Sequence, residues 1–197
     1  MSWNFLEEVL ERKGFSNTWV QWINKSVRGG RVCIFINGER GEFYKSYKGL
    51  RQGDPLSPLF FNLVADALSA MLSRACEAGI IQGLVPHLVE GGLSHLQYVD
   101  DTVILLQYSP KNLRNVRLVL SCYEAMSGMK ISFEKSEIFT IGLPQEDQKL
   151  AAACLGYKIG VFPIKQLGMP MSSLKISKAQ VSYVSEKTEK RLGTWQC

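Results

Sequence analysis

Between Pro58 and Gly79 the sequence commits the chain to building a core. Leu59, Leu63, Ala67 and Ala70 recur at helical spacing, and Phe60, Val64, Leu68, Met71 and Leu72 fill the neighbouring faces, so this helix is apolar nearly all round. Such a helix is stable in water only when other elements surround it. Pro58, in a first turn behind Ser57, gives it a start, and Gly79 gives it an end.

The remaining sequence supplies that cover. Of 197 residues, 46% are hydrophobic and 21% charged, a composition that excludes intrinsic disorder and fits a soluble globular domain or a piece of a larger one. No uninterrupted apolar run reaches the roughly 18 residues of a spanning helix, and Met1-Ser2-Trp3-Asn4 lacks the order of a signal peptide, so no membrane partner is expected. Trp3, Leu6 and Leu10 predict a helix capped by Ser2 and stopped at Gly14. A second helix is expected from about Asn17 to Val27, with Trp19, Ile23 and Val27 on one face; Trp3, Trp19 and Trp22 are read as packing residues rather than as base-stacking ones. Val32 to Ile36, Asn37-Gly38 and Glu42 to Tyr47 predict a hairpin, because Asn-Gly accepts the positive φ of a tight turn.

Further helices are expected over Leu113 to Tyr123, closed by Gly128, near Gln145 to Leu155, and from about Ser177. Short strands are expected at Leu93 to Tyr98, Thr102 to Leu106, Ile131 to Phe133 and Ile138 to Ile141, with an extended stretch near Ile159 to Ile164. Helices mixed with hairpins indicate an α+β class rather than a doubly wound parallel sheet. Cys33, Cys76, Cys122, Cys154 and Cys197 are odd in number and widely spaced, and they read as buried small hydrophobes in a reducing compartment. His87 and His95 have no partners at zinc or triad spacing and are read as structural or surface residues.

Chemistry enters with Asp100 and Asp101, adjacent acids set between two apolar strand-like segments. That position is costly unless a turn exposes the carboxylates or a cation neutralises them. Mg²⁺ takes one or two carboxylates and completes its shell with phosphate oxygens and water. Asp also favours turns for local hydrogen-bonding reasons, so the pair alone leaves both readings open. Upstream, Gly49-Leu50-Arg51-Gln52-Gly53-Asp54-Pro55-Leu56-Ser57-Pro58 is a loop punctuated by glycine and proline that feeds the apolar helix, where backbone N–H groups and a positive dipole end suit phosphate or base edges. An ordinary helix-entry loop explains these features singly but not their pairing with the Asp-Asp segment. The net charge is +5, and the stretch Lys25 to Arg51 holds seven basic residues against Glu39 and Glu42, either a solvated face or a polyanion surface.

Together these segments resemble the reverse transcriptase domain of non-LTR, LINE-type retrotransposons, with plant members the most similar, over nearly the whole chain. Gly49 to Leu63 is similar to the family's template- and nucleotide-positioning motif, Tyr98-Val99-Asp100-Asp101 to its metal site, Gly128 to Glu137 to its lysine-bearing motif, and Phe162 to Pro170 to its primer grip. The resemblance implies a polymerase palm, an antiparallel sheet backed by helices and incomplete at both ends. It implies Mg²⁺ or Mn²⁺ at Asp100 and Asp101, and a catalytic role for Lys135 near the triphosphate. It further implies template or nucleotide contacts at Tyr98, Arg51, Gln52, Gly53, Pro55 and Ser57, and a primer grip at Leu167 and Gly168. Gln166 departs from the aromatic residue the family usually has there. The implied partners are an RNA template, a DNA primer and deoxynucleoside triphosphates, and the implied location is intracellular, nuclear if the element transposes.

By the same resemblance, residues 1–171 would be a partial fingers and palm with the primer grip, and residues 172–197 the truncated start of the thumb or connection. The family's first metal-binding aspartate belongs just before a helix similar to Trp3 to Leu10, so it and the finger strands are expected to lie outside this chain. The isolated chain is then expected to show negligible polymerase activity and to self-associate through uncovered edges. A non-catalytic retroelement remnant and an RNA- or DNA-binding module are the alternatives.

Overall fold

The computed structural model describes residues 1–85, 87, 92–166, 169–173, 182, 186, 188–190 and 192–193. They fall into two compact units, residues 1–131 and 132–197. The expected helix from Ser177 lies mostly, and Cys197, Leu167 and Gly168 lie wholly, outside the described residues. The expected boundary at 171/172 falls inside the second unit.

The first unit opens with α1 (Trp3–Arg12), whose N-terminus is capped as expected, the Ser2 hydroxyl accepting from the Phe5 amide. Helix α2 (Asn17–Arg28) follows, capped in the same way by Ser16. Next comes the expected hairpin, in four short pieces: β1 (Arg31–Val32), β2 (Phe35–Ile36), β3 (Glu39–Arg40) and β4 (Tyr44–Lys45). Asn37 and Gly38 turn it with φ of +51° and +84°. Ile36 pairs with Glu39 and Val32 with Tyr44, while the Gly41 amide donates to the Ile34 carbonyl. Residue 33 therefore faces both 42 and 43, which is a β-bulge that bends the arm and interrupts its ladder.

Helix α3 (Ser57–Glu77) is the central element, followed by β5 (His95–Tyr98), β6 (Asp101–Ile104) and α4 (Pro110–Ser127). Its buried residues Phe60, Val64, Leu68 and Leu72 are spaced by four. Each such step turns about 40° around a 3.6-residue helix, so the stripe winds across the surface and meets more than one neighbour. Phe5, Leu6, Val9 and Leu10 of α1, Val20 and Ile23 of α2, and Val116, Leu120 and Tyr123 of α4 complete the cluster. Tyr123 closes it by meeting Phe5 edge-on at 6.3 Å and donating its hydroxyl to the Val64 carbonyl at 3.2 Å. Burial pushes the Tyr123 pKa up to about 12, so the hydroxyl stays protonated and remains a donor. Helix α4 ends at Gly128 in the left-handed region, φ +65°, as its sequence position requires.

In the second unit, β7 (Glu137–Ile138) pairs in parallel with β8 (Lys158–Ile159), and α5 (Gln145–Leu155) connects them. Strands β9 (Ile164–Gln166) and β10 (Met169–Met171) pair antiparallel.

The molecule is a mixed α/β structure whose described strands form five two-stranded sheets, four of them antiparallel. Four expectations are corrected. Ile131 to Phe133 is no strand, because Ser132 instead accepts the amides of Lys135 and Ser136 and closes a turn. Trp19 and Trp22 are 52% and 61% exposed, since Val20 and Ile23 take the buried face of α2. None of the four described cysteines is fully buried, and Cys122 is exposed on α4. By length and composition alone α3 could cross a membrane, but here its apolar stripe packs against α1 and α4 while Asp66 pairs with Lys13.

Candidate functional site

The β5–β6 register pairs His95 with Ile104, Leu96 with Val103, Gln97 with Thr102 and Tyr98 with Asp101, leaving Val99 and Asp100 as a two-residue turn. The sequence expectation placed both acids at the tip; Asp101 is instead the first residue of β6. Val99 has φ +53°, an uncommon state for a β-branched residue, where this turn geometry prefers glycine. Residues held this way cost on the order of 1–3 kcal/mol and cluster at functional sites. Residues 98 to 101 are all exposed. Because directly opposed residues share a sheet face, Asp101 stands on the same face as Tyr98, which is 62% exposed.

The opposite face of β5 is fastened to α3. The His95 Nε2 lies 2.6 Å from the Ser69 hydroxyl, and the Gln97 side-chain amide donates to the Ala65 carbonyl at 3.2 Å. Two residues of strand rise nearly match four of helix, about 6.6 Å against 6 Å, so both bonds form without distortion. Ser94, which is buried, bonds the other His95 nitrogen at 2.9 Å. Burial lowers the His95 pKa from its ordinary value and keeps the ring neutral, with one nitrogen donating and the other accepting. Sequence reasoning assigned His95 no partner; Ser69 lies 26 residues away, and no local spacing announces it.

Since residue 95 meets 69 and residue 97 meets 65, β5 runs antiparallel to α3, and the acid-bearing turn points toward the N-terminal end of that helix. The loop before α3 arrives at the same end. Gly49 is tied to the first helix, its carbonyl accepting from the Trp3 indole at 2.7 Å and its amide donating to the Met1 carbonyl at 2.8 Å. Arg51 reaches the Ser26 carbonyl and Asp54, and the Asp54 carboxylate accepts the Leu56 amide at 2.9 Å. Ser57 is the first helical residue and not a cap; its hydroxyl donates back to the Arg51 carbonyl at 2.8 Å. Gln52, Gly53 and Pro55 are left exposed at the bend, where Gly53 takes φ +84°. Thus the loop is internally braced, with Gln52, Gly53, Pro55 and Leu56 outward and Ser57 half-buried and bonded inward.

The model of the reverse transcriptase (RNA-dependent DNA polymerase) family matches residues 1–179. The chain belongs to the reverse transcriptase family. It is 39% identical over 79 residues to an uncharacterized mitochondrial protein of Arabidopsis thaliana, covering 38% of this chain and 65% of that protein. It is 24% identical over 136 residues to a retrovirus-related Pol polyprotein from a type-2 retrotransposable element of Drosophila melanogaster, covering 69% of this chain and 12% of the polyprotein. A Pol polyprotein from a type-1 retrotransposable element of Nasonia vitripennis is 29% identical over 89 residues, covering 45% of this chain and 8% of its own length. The chain therefore spans less than two thirds of each of these relatives. Retrotransposable-element relatives agree with the resemblance carried by the sequence motifs.

Reverse transcriptases use divalent metal, so the acids bear a test of fit. Asp100 and Asp101 are hard, exposed oxygen donors, suited to one cation that phosphate and water complete. Among the described residues no third His, Cys, Asp or Glu joins them in a metal-binding group. They do not amount to the set of carboxylates that two metals require, and no two-metal step follows from them. Lys135 is exposed in the turn at 132–136 of the second unit, and Leu167 and Gly168 lie outside the described residues.

Proposed function

We propose that the chain is a partial fingers and palm of a LINE-type reverse transcriptase, residues 1–171, with the start of a thumb from 172. In this reading Asp100 and Asp101 supply one side of a nucleotidyl-transfer site in a palm. The observation that carries it is the exposed Val99–Asp100 turn, held by the His95 and Gln97 bonds at the end of α3 where the Arg51 to Ser57 loop arrives. A Mg²⁺ or Mn²⁺ ion at the acids would neutralise phosphate charge. Tyr98, on the face of Asp101, would bear on the primer end, and Arg51, Gln52, Gly53, Pro55 and Ser57 would shape the space for template and incoming nucleotide. Lys135 would meet the triphosphate, and Leu167 and Gly168 the primer. The partners are an RNA template, a DNA primer and deoxynucleoside triphosphates, met inside the cell.

This 197-residue chain presents acids on one side of that site, so it is expected to extend no primer by itself. The test incubates it with an RNA template annealed to a DNA primer, Mg²⁺ and the four deoxynucleotides. Extension at background level is the expected result. Mg²⁺-dependent extension that disappears in Asp100→Asn would overturn the inactivity while supporting the role of Asp100. The abundance of exposed cations between Lys25 and Arg51 favours a second reading, nucleic-acid binding without chemistry, which predicts RNA affinity that survives Asp100→Asn.

A further inference from the structure

The hairpin arm from residue 31 to 45 has an electrostatic arrangement that folding does not explain. Its register sets Arg31 directly opposite Lys45, and both are exposed. Opposed residues in an antiparallel pair have Cα atoms about 4.5–5.5 Å apart, and like charges placed so destabilise the strands. Among the described residues no carboxylate lies within ion-pair distance of either cation. The only acids between residues 25 and 51 are Glu39, paired with Ile36 beside the turn, and Glu42, in the bulge. The arm thus holds two cations together with neither of its own carboxylates at ion-pair distance from them.

The same arm carries rings. The Arg40 guanidinium lies 4.7 Å from the centre of the Phe43 ring, and Phe43, Tyr44 and Tyr47 are each half or more exposed. Clustered cations interleaved with exposed aromatics are the composition of surfaces that track a phosphate backbone and stack bases. Free phosphate or a lipid headgroup would use the cations but not the rings.

We infer that Arg31 and Lys45 form a phosphate clamp for an RNA strand on the β1–β4 arm, beside the loop before α3, whose Arg51 guanidinium lies against Gly30, and separate in sequence from the Asp100–Asp101 turn. The inference rests on the reading that this chain handles nucleic acid, and it says where. An anion bridging the two side chains relieves their repulsion, so binding is strengthened by the same feature that weakens the unliganded hairpin.

That trade-off supplies the test. Binding of a fluorescein-labelled single-stranded RNA to the full chain is followed by anisotropy over a salt series, together with thermal melts. Lys45→Glu replaces a repulsive pair with an attractive one, so the melting temperature is expected to rise by about 1–3 °C. RNA affinity is expected to fall about tenfold or more at low salt, and the slope of log affinity against log salt to shrink by about 0.7 for each phosphate no longer neutralised. Lys149→Glu, the same charge change at an exposed position in the second unit, is expected to have much the smaller effect. Should Lys45→Glu fail to fold, Arg31→Gln and Lys45→Gln carry the same comparison. Unchanged affinity and slope in the arm variants, with wild-type binding intact, would overturn the clamp alone. A wild-type chain with no salt-dependent RNA binding would overturn both the clamp and the nucleic-acid reading. Binding to phosphatidylserine vesicles that RNA does not compete away would also overturn the clamp.

Discussion

His95 has both ring nitrogens occupied by serine hydroxyls, and burial lowers its pKa. In the unfolded chain the ring takes up a proton near its ordinary value of about 6.5, while in the folded state it resists until a lower pH. Its contribution to stability is therefore whole above about pH 6.5 and is lost as pH falls from there through the lowered folded value. The melting temperature of the wild type is expected to drop between pH 7.5 and 5 more steeply than that of His95→Gln. Equal slopes for the two would contradict the role given to the ring. Asp100 and Asp101 were legible in the sequence because two acids between apolar strands have few inexpensive explanations. His95 was not, since Ser69 is remote in sequence, and Trp19 and Trp22 were misread because helical spacing reveals a shared stripe without saying whether anything covers it.

Helices α1 and α4 were readable because each joins a regular apolar spacing to a cap or a stop, Ser2 before α1 and the left-handed Gly128 after α4. The strands are two to four residues long, too short for a period of two to declare itself, which is why the bulge at 41–43 and the turn at 132–136 emerged only in the structure. For α3 the sequence showed an apolar helix but not which residues face inward. Leu72 is fully buried and Leu59 is 53% exposed on the same helix. Leu72→Ala is expected to destabilise the chain by about 2–5 kcal/mol, and Leu59→Ala by about 0.5 kcal/mol or less, in urea denaturation. Equal losses would mean that the winding stripe from Phe60 to Leu72 is not the core contact of α3.

At the scale of the whole molecule, the order of four motifs was enough to name a family that the match over residues 1–179 bears out. Two of these motifs also carry backbone demands of their own, the positive φ at Gly53 and the two-residue turn after Tyr98. The proposed nucleotidyl-transfer site requires that the Asp100–Asp101 turn receive a divalent cation. Paramagnetic broadening of backbone amide resonances by sub-stoichiometric Mn²⁺ tests it most directly, with no need for catalysis. Broadening centred on residues 98 to 102 and lost in Asp100→Asn with Asp101→Asn is the predicted result; broadening absent there, or unchanged in the double variant, would contradict it.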